Sequence, residues 1–149
     1  MTTFIHQRVE LAHQGQNPTV LCKMESGWAV LSDVQLLNGY CLLLSDPVVP
    51  DLNALSLAER EKFLRDMSLV GDALLEVTGA ARINYEILGN SEKALHAHII
   101  PRYEAEPDEL RKGPVWFYDM AKAPRFDPQT YKALMDKIRA ALEKRLTAV

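Results

Sequence analysis

The sequence predicts an α+β fold in which an antiparallel β-sheet of about five strands is flanked by helices. Short apolar runs separated by turn residues predict the strands, and the short turns between neighbouring runs favour antiparallel pairing. One long segment with apolar residues three and four positions apart predicts a major helix. The 149 residues suit a single domain, with a core over about 17–103 and a C-terminal extension with a helix over 104–149. We expect the helices to pack on one face of the sheet.

The first half of the chain reads as a short helix followed by three strands. Apolar residues within 4–12 form a weak helical pattern, which Asn17-Pro18 ends. The turn signal Asn38-Gly39 separates the second and third strands. The three apolar runs that predict strands lie at 20–22, 28–31 and 39–44.

The second half contains the clearest helix. Ser56 and Glu59 form a capping box, and apolar residues then recur along one face over residues 56–77. Thr78-Gly79 supplies the stop. The remaining predicted elements are strands at 81–87 and 95–100, an irregular proline-rich segment at 104–125 and a final helix at 127–145, with Pro101 expected to end the pairing of the last strand.

Composition excludes several classes of protein. A net charge of -3 leaves no broad basic surface for a nucleic-acid polymer. The N-terminus lacks the apolar region of a signal peptide, and the longest apolar stretch is too short to span a bilayer. We therefore expect a soluble, cytoplasmic protein with no membrane partner, in which Cys22 and Cys41 are buried free thiols.

The most informative feature is a pair of histidines, His96 and His98, in a predicted strand. Because side chains alternate along a strand, both imidazoles project from one face, about 7 Å apart, while Leu95, Ala97 and Ile99 project from the other. One interpretation is a pair of solvated surface histidines. A metal pair is another, but a third ligand is needed and none is evident, so we expect no metal and favour catalysis.

A loop before this strand supports the catalytic interpretation. In Gly89-Asn90-Ser91, glycine permits a tight turn that exposes backbone N–H groups, and Asn90 and Ser91 add side-chain donors. Such a loop can hold a phosphate, although the same residues are also common in ordinary turns. Beside two histidines, the loop predicts a phosphate site.

Taken together, these motifs resemble those of the histidine triad (HIT) superfamily of nucleotide hydrolases and transferases, in particular the bacterial diadenosine polyphosphate hydrolase branch. The resemblance covers about residues 17–102. It rests on Ala29-Val30-Leu31, the Gly39-Tyr40 turn into an apolar strand, Gly89-Asn90-Ser91, and the run from His96 to Arg102. It implies an antiparallel sheet flanked by helices and a homodimer, to which the 56–77 helix would contribute.

The sequence departs from the family pattern of three alternating histidines, so two registers are open. In one, Ala94 replaces the first histidine, His96 is the nucleophile and His98 is the third. In the other, His96 is first, His98 is the nucleophile and Ile100 occupies the third position. We favour the first register because it keeps the spacing from the Gly89-Asn90-Ser91 loop and places a polar group near the leaving oxygen. Restoring the triad with Ala94→His is then expected to raise the rate or leave it unchanged.

The resemblance implies attack of His96 on the α-phosphorus of a nucleoside polyphosphate or phosphoramidate, giving a nucleotidyl-histidine that water cleaves. His98 would position the phosphate or leaving oxygen, and Asn90 and Ser91 would bind phosphate oxygens. Asp33, or its neighbour Ser32, is expected at the ribose, and Asn84 elsewhere in the nucleotide pocket. No resident cofactor is expected, and any Mg²⁺ would arrive with the substrate.

Two alternatives remain open at the level of sequence. One is a nucleotide-binding protein of the same fold with weak chemistry, acting as a sensor or interaction module. The other is an unrelated metal-binding or structural domain. Neither the base nor the choice among dinucleoside polyphosphates, phosphoramidates and nucleotide sugars follows from the residues.

Overall fold

Five strands, four α-helices and three short 3₁₀ helices (Leu52–Ala54, Val115–Phe117 and Met120–Lys122) make up the regular secondary structure of residues 2–148, the part of the chain that the computed structural model describes. The helices are α1 (Phe4–His13), α2 (Leu57–Thr78), α3 (Asp108–Arg111) and α4 (Lys132–Ala148). The strands are β1 (Val20–Lys23), β2 (Gly27–Leu31), β3 (Cys41–Ser45), β4 (Arg82–Glu86) and β5 (His96–Arg102). They form one antiparallel sheet in the order β1-β2-β3-β5-β4, which confirms the predicted α+β architecture.

Helix α2 begins after the capping box and ends at the glycine that the sequence predicts as its start and stop signals. The Ser56 side chain accepts a hydrogen bond from the Glu59 backbone N–H, and the Glu59 side chain returns one to Ser56. Gly79 ends the helix with a left-handed φ of 67°, which glycine adopts without steric cost. The last helix begins later than predicted, at Lys132, because the Asp127 carboxylate binds Thr130 and holds a separate turn ahead of it.

The helices cover both faces of the sheet, so the expectation of a single covered face is wrong for α1. Helices α2 and α4 bury one face against side chains such as Leu43 and Ile99. On the opposite face, α1 packs Ile5 and Val9 against Val30, Leu44 and Ala94. The physical reason lies in β3, where consecutive leucines point to opposite faces and neither face can be left in water without exposing apolar surface.

Pairing of β5 continues through Pro101, contrary to expectation, and Pro101 lies opposite Ile83 of β4. The Arg102 carbonyl accepts from Ala81 and therefore faces β4, so the Pro101 nitrogen faces the other side. The pairing with β3 has already ended there, since its last pair is Cys41 with Ile99. The missing N–H of proline thus removes no bond from the sheet.

None of the helices within residues 2–148 combines the length and apolar character that a membrane crossing requires.

Candidate active site

Strand β5 places the two histidines side by side on the sheet face that α1 partly covers. Their ring centroids are 5.0 Å apart and the rings are inclined at 69°. His96 lies opposite Leu44 and His98 opposite Leu42 in the neighbouring strand β3. His96 is 8% exposed, so it is not a solvated surface residue.

The hydrogen bond of His96 defines which ring nitrogen is available for chemistry. Nδ1 lies 2.6 Å from the Ala94 carbonyl oxygen. Because a carbonyl can only accept, Nδ1 must carry the proton, and Nε2 of the neutral ring keeps its lone pair. An imidazole held in this way is suited to act as a nucleophile. The contact uses the backbone of Ala94, so it does not require a particular side chain at that position.

His98 is held by different partners. Its Nδ1 lies 2.7 Å from the Tyr40 hydroxyl, and its ring meets the Trp116 ring edge-to-face, with centroids 5.2 Å apart. Burial, together with the neighbouring His96, lowers the pKa of His98 from 6.5 to about 4. His98 is therefore neutral at pH 7 and can contribute a hydrogen bond to a ligand.

A cleft of about 410 Å³ joins the histidines to the loop that precedes β5. Gly89 has a φ of 75°, a conformation that strains other residues, and it turns the chain so that Asn90 and Ser91 line the cleft with His96 and His98. The structure thus brings together four of the six site residues that were predicted from the sequence. The remaining lining residues are Leu88, Gly89, Glu92 and Trp116.

Trp116 closes one side of the cleft and was missed in the sequence. Its indole N–H donates to the Glu86 carboxylate, and Glu86 is the partner of His98 across β4 and β5. The sequence marked residues 104–125 only as irregular. The run Val115-Trp116-Phe117 is the signal that marks this segment, because large apolar side chains are unusual in a polar, proline-rich stretch.

Arg102 anchors the segment that carries Trp116. Its guanidinium donates to the carbonyls of Gly113 and Leu110, each at a length normal for hydrogen bonds (2.7 and 2.9 Å). It also forms an ion pair with Glu106, and both side chains are almost fully buried, at 6% and 4% exposed. One arginine therefore ties the end of β5 to the loop that carries Trp116.

Asn84 does not lie in the cleft with the histidines. Its side-chain oxygen accepts a hydrogen bond of 2.7 Å from Arg102. It lines a separate cavity of about 660 Å³ along β4, together with Arg82 and Arg102. The partner that a polar amide within a strand requires is thus Arg102.

Asp33 also lies outside the cleft, in a smaller adjoining pocket between α1 and the sheet. It forms an ion pair with Arg8 of α1. The pocket has a volume of only about 20 Å³ and includes Leu42 and Leu44, the partners of the two histidines across the sheet. Ser32, the alternative to Asp33, is buried, and its hydroxyl accepts from the Val34 N–H.

Helix α1 connects this pocket to the loop of the cleft. The Phe4 backbone N–H donates to the Glu92 carboxylate, and the Arg8 guanidinium lies 4.5 Å from the centre of the Phe4 ring. Among residues 2–148, no group of three or more histidine, cysteine, aspartate or glutamate side chains is placed to hold a metal ion.

No protein-family model matches the sequence, and no curated protein matches it. Solved structures do match. A histidine triad protein from Marinobacter aquaeolei VT8 aligns with a TM-score of 0.73 and 20% identity, over 97% of this chain and 98% of that one. A histidine triad protein from Sinorhizobium meliloti 1021 aligns with a TM-score of 0.72 and 23% identity, over 82% of this chain and 87% of that one.

The diadenosine triphosphate hydrolase of Plasmodium falciparum is also similar, with a TM-score of 0.66 and 14% identity, over 85% of this chain and 78% of that one. At this level of identity the alignments establish the fold. The chain has the five-stranded antiparallel sheet with flanking helices that is found in histidine triad proteins.

Proposed function

We propose that this protein is a nucleotide hydrolase or nucleotidyl transferase of the histidine triad type, of the branch that acts on dinucleoside polyphosphates. The observation that carries the proposal is the state of the two imidazoles. His96 donates from Nδ1 to a backbone carbonyl and keeps an Nε2 lone pair, and it stands beside a neutral His98 in a cleft lined by Asn90 and Ser91. A nucleophile, a hydrogen-bond donor and a phosphate loop are the groups that this chemistry requires.

In the proposed reaction, His96 Nε2 attacks the α-phosphorus in line as the bond from phosphorus to the leaving oxygen breaks, and the electron pair departs with that oxygen. The product is a nucleotidyl-histidine. Water then attacks the same phosphorus and loses a proton to solvent, the bond from phosphorus to His96 breaks with its electron pair returning to Nε2, and a nucleoside monophosphate leaves. Asn90 and Ser91 would stabilise the non-bridging oxygens, where negative charge accumulates.

The carbonyl contact of His96 supports the register in which Ala94 replaces the first histidine. In this register the nucleophile is the ring whose Nδ1–H is bound to the backbone two residues earlier, and the third position holds His98. Isoleucine occupies the third position in the other register and has no group to offer a leaving oxygen.

The low pKa of His98 favours anhydride substrates over phosphoramidates. A phosphate leaving group can depart as an anion, whereas an amine must be protonated as it leaves. With a pKa of about 4, His98 supplies a hydrogen bond at neutral pH and only rarely a full proton. We therefore propose a dinucleoside polyphosphate as the substrate, because its nucleotide leaving group can depart without a full proton.

The nucleoside is proposed to occupy the pocket beside α1, with Asp33 at the ribose hydroxyls. This pocket adjoins the histidines, because Leu42 and Leu44 line it and pair with them across the sheet. Its volume of about 20 Å³ is too small for a base, so Arg8 and the start of α1 would have to move when the nucleotide binds.

A homodimer is proposed as the functional assembly. Leu57, Leu64 and Leu75 of α2 are 67%, 39% and 41% exposed, and spacings of seven and eleven residues place them along one stripe of the helix. Burying this stripe against a second copy would remove apolar surface from water. Light scattering that gives 16.8 kDa, the mass of one chain, at micromolar concentration would contradict the dimer.

Incubation with diadenosine tetraphosphate, followed by rapid quenching and mass spectrometry, tests the proposed reaction. We expect release of AMP and an adenylyl group on the peptide that contains His96. His96→Gly should abolish the adduct, and His98→Gln should slow the reaction by about 10²- to 10⁴-fold. His13→Gln is the matched control, since His13 binds Asp46 at the surface.

The pattern of the variants distinguishes the alternatives. An adduct that survives in His96→Gly and is lost in His98→Gln would support the other register. Nucleotide binding without AMP release or adduct would support a binding module in place of an enzyme.

A further inference from the structure

We propose that Tyr40 is a positioning residue that holds His98 in the tautomer with its proton on Nε2, facing the cleft. The catalytic consequence rests on the proposed function, but the tautomer itself does not. Tyr40 stands in no motif of the sequence beyond the turn that leads into β3.

Hydrogen bonds fix the backbone of Tyr40, the residue that immediately precedes β3. Its carbonyl accepts from the Ser32 N–H and from the Gln35 side chain, each at 2.9 Å. The other end of the Gln35 amide accepts from the N–H of Gly39, whose φ of 97° suits glycine. Gln35 is 3% exposed, so this clamp is inside the protein and sets the direction of the following residue.

The side chain of Tyr40 lies on the histidine face of the sheet. Tyr40 precedes Cys41, which pairs with Ile99, and it therefore projects from the same face as Leu42, the partner of His98. The ring packs with Ile100 and Val115 and is 4% exposed. This packing brings the hydroxyl to 2.7 Å from His98 Nδ1.

The direction of the hydrogen bond follows from the partners available. Within residues 2–148, His98 Nδ1 is the only hydrogen-bond partner of the Tyr40 hydroxyl. If Nδ1–H donated, the buried phenol proton would have no acceptor, which is costly. If the phenol donates, its proton is satisfied, Nδ1 is the acceptor and Nε2 carries the proton of the neutral ring.

The protonation of Tyr40 agrees with this direction. Burial, and then the Glu86 carboxylate, raise the pKa of the Tyr40 hydroxyl, so it remains a donor at neutral pH. The two histidines therefore hold opposite tautomers. His96 presents a lone pair to the cleft because a carbonyl binds its Nδ1–H, and His98 presents an N–H because a phenol binds its Nδ1. One ring is prepared to attack and the other to donate to the leaving oxygen.

Long-range ¹H–¹⁵N NMR of the full chain labelled with ¹⁵N-histidine reports the tautomers directly. We expect Nδ1–H for His96 and Nε2–H for His98. Tyr40→Phe keeps the ring and removes the donor, and it should shift the His98 nitrogens toward a mixture of tautomers while leaving those of His96 unchanged. Tyr103→Phe is the matched control, because it removes a hydroxyl that packs beside the same cluster but binds the Asn38 carbonyl. An Nδ1–H tautomer of His98 in the unaltered protein, or unchanged His98 shifts in Tyr40→Phe, would overturn the proposal.

Kinetics provide the second measurement. With diadenosine tetraphosphate, Tyr40→Phe should lower kcat about tenfold and leave KM within about twofold. The reason is that His98 then no longer always presents its Nε2–H, and this donor acts on the leaving oxygen in the transition state. An unchanged kcat would contradict the positioning role. If neither the unaltered protein nor any variant hydrolyses the substrate, the proposed function is wrong. The NMR result still decides the tautomer of His98 in that case.

Discussion

Replacing Arg102 with methionine should destabilise the protein by about 3–5 kcal/mol, because it leaves a buried carboxylate without its cation. The Arg102 side chain is 6% exposed and that of its partner Glu106 is 4% exposed. Methionine can fill most of the space of the arginine stem but offers no donor. The cost is therefore mainly electrostatic and polar.

The magnitude follows from the groups that lose a partner. Within residues 2–148, the donors that remain to Glu106 are the Tyr118 hydroxyl and the Tyr103 backbone N–H. The Asn84 side-chain oxygen and the carbonyls of Gly113 and Leu110 also lose the arginine. Each unsatisfied buried group costs roughly 1–3 kcal/mol before the loop relaxes, and relaxation toward water returns part of that cost.

The effect should depend on pH. Burial acts to raise the pKa of Glu106, but hydrogen bonds from Arg102, Tyr118 and Tyr103 together lower it below 4.5. A lowered carboxyl pKa stabilises the folded protein above the unfolded pKa, and this contribution is lost as pH falls through the folded pKa. Without Arg102 the carboxyl can be buried in its neutral form at low pH. The difference in the free energy of unfolding between the Arg102→Met variant and the unaltered protein should therefore become smaller below about pH 4.5.

Urea unfolding at pH 7 and pH 4 measures both effects, and fluorescence of Trp116, recorded in a Trp28→Phe background because the chain has two tryptophans, reports whether the segment that carries Trp116 loosens. Lys132→Met is the control, because Lys132 pairs with Asp136 at the surface with its side chain 74% exposed, and its stability should match that of the unaltered protein within error. Arg102→Met combined with Glu106→Leu should recover part of the loss. A cost of less than about 1 kcal/mol for Arg102→Met at pH 7 would refute the assignment of this pair as the anchor of the segment.

Three further predictions concern the site. His98 should titrate near pH 4 by NMR, and the stability that its neutral form contributes above pH 6.5 should be lost as the pH falls from 6.5 to about 4. A titration midpoint of His98 near 6.5 would contradict the lowered pKa. Arg8→Ala should tighten binding of AMP severalfold in calorimetry, because the Asp33 carboxylate is then free to bind the ribose hydroxyls. Unchanged or weaker binding would show that the Arg8–Asp33 ion pair does not obstruct the nucleotide pocket. Ala94→His, for which the family pattern implies an equal or higher reaction rate, should lower the free energy of unfolding by about 1–3 kcal/mol in urea, because Ala94 is fully buried beneath α1. Stability equal to that of the unaltered protein would show that the site can expand.

Features that depend on neighbours along the chain were predictable from the sequence. The five strands, the bounds of α2 and the shared face of His96 and His98 follow from capping, from glycine and from the alternation of side chains. These interactions act over two to four residues, so the information that specifies them is local. The same holds for the Gly89 turn, which places Asn90 and Ser91 beside the histidines.

What only the tertiary structure decided is how the two histidines differ. Tyr40 reaches His98 across 58 positions of sequence, and Trp116 reaches Glu86 across 30. The face that α1 covers, and the choice of Arg102 over a nucleotide as the partner of Asn84, also depend on contacts between distant segments. An isolated strand with alternating histidines presents two equivalent rings. They become distinct because the carbonyl of Ala94, two residues away, binds Nδ1 of His96, whereas Nδ1 of His98 meets the phenol of Tyr40, which lies 58 positions away in the sequence and which no local pattern can place.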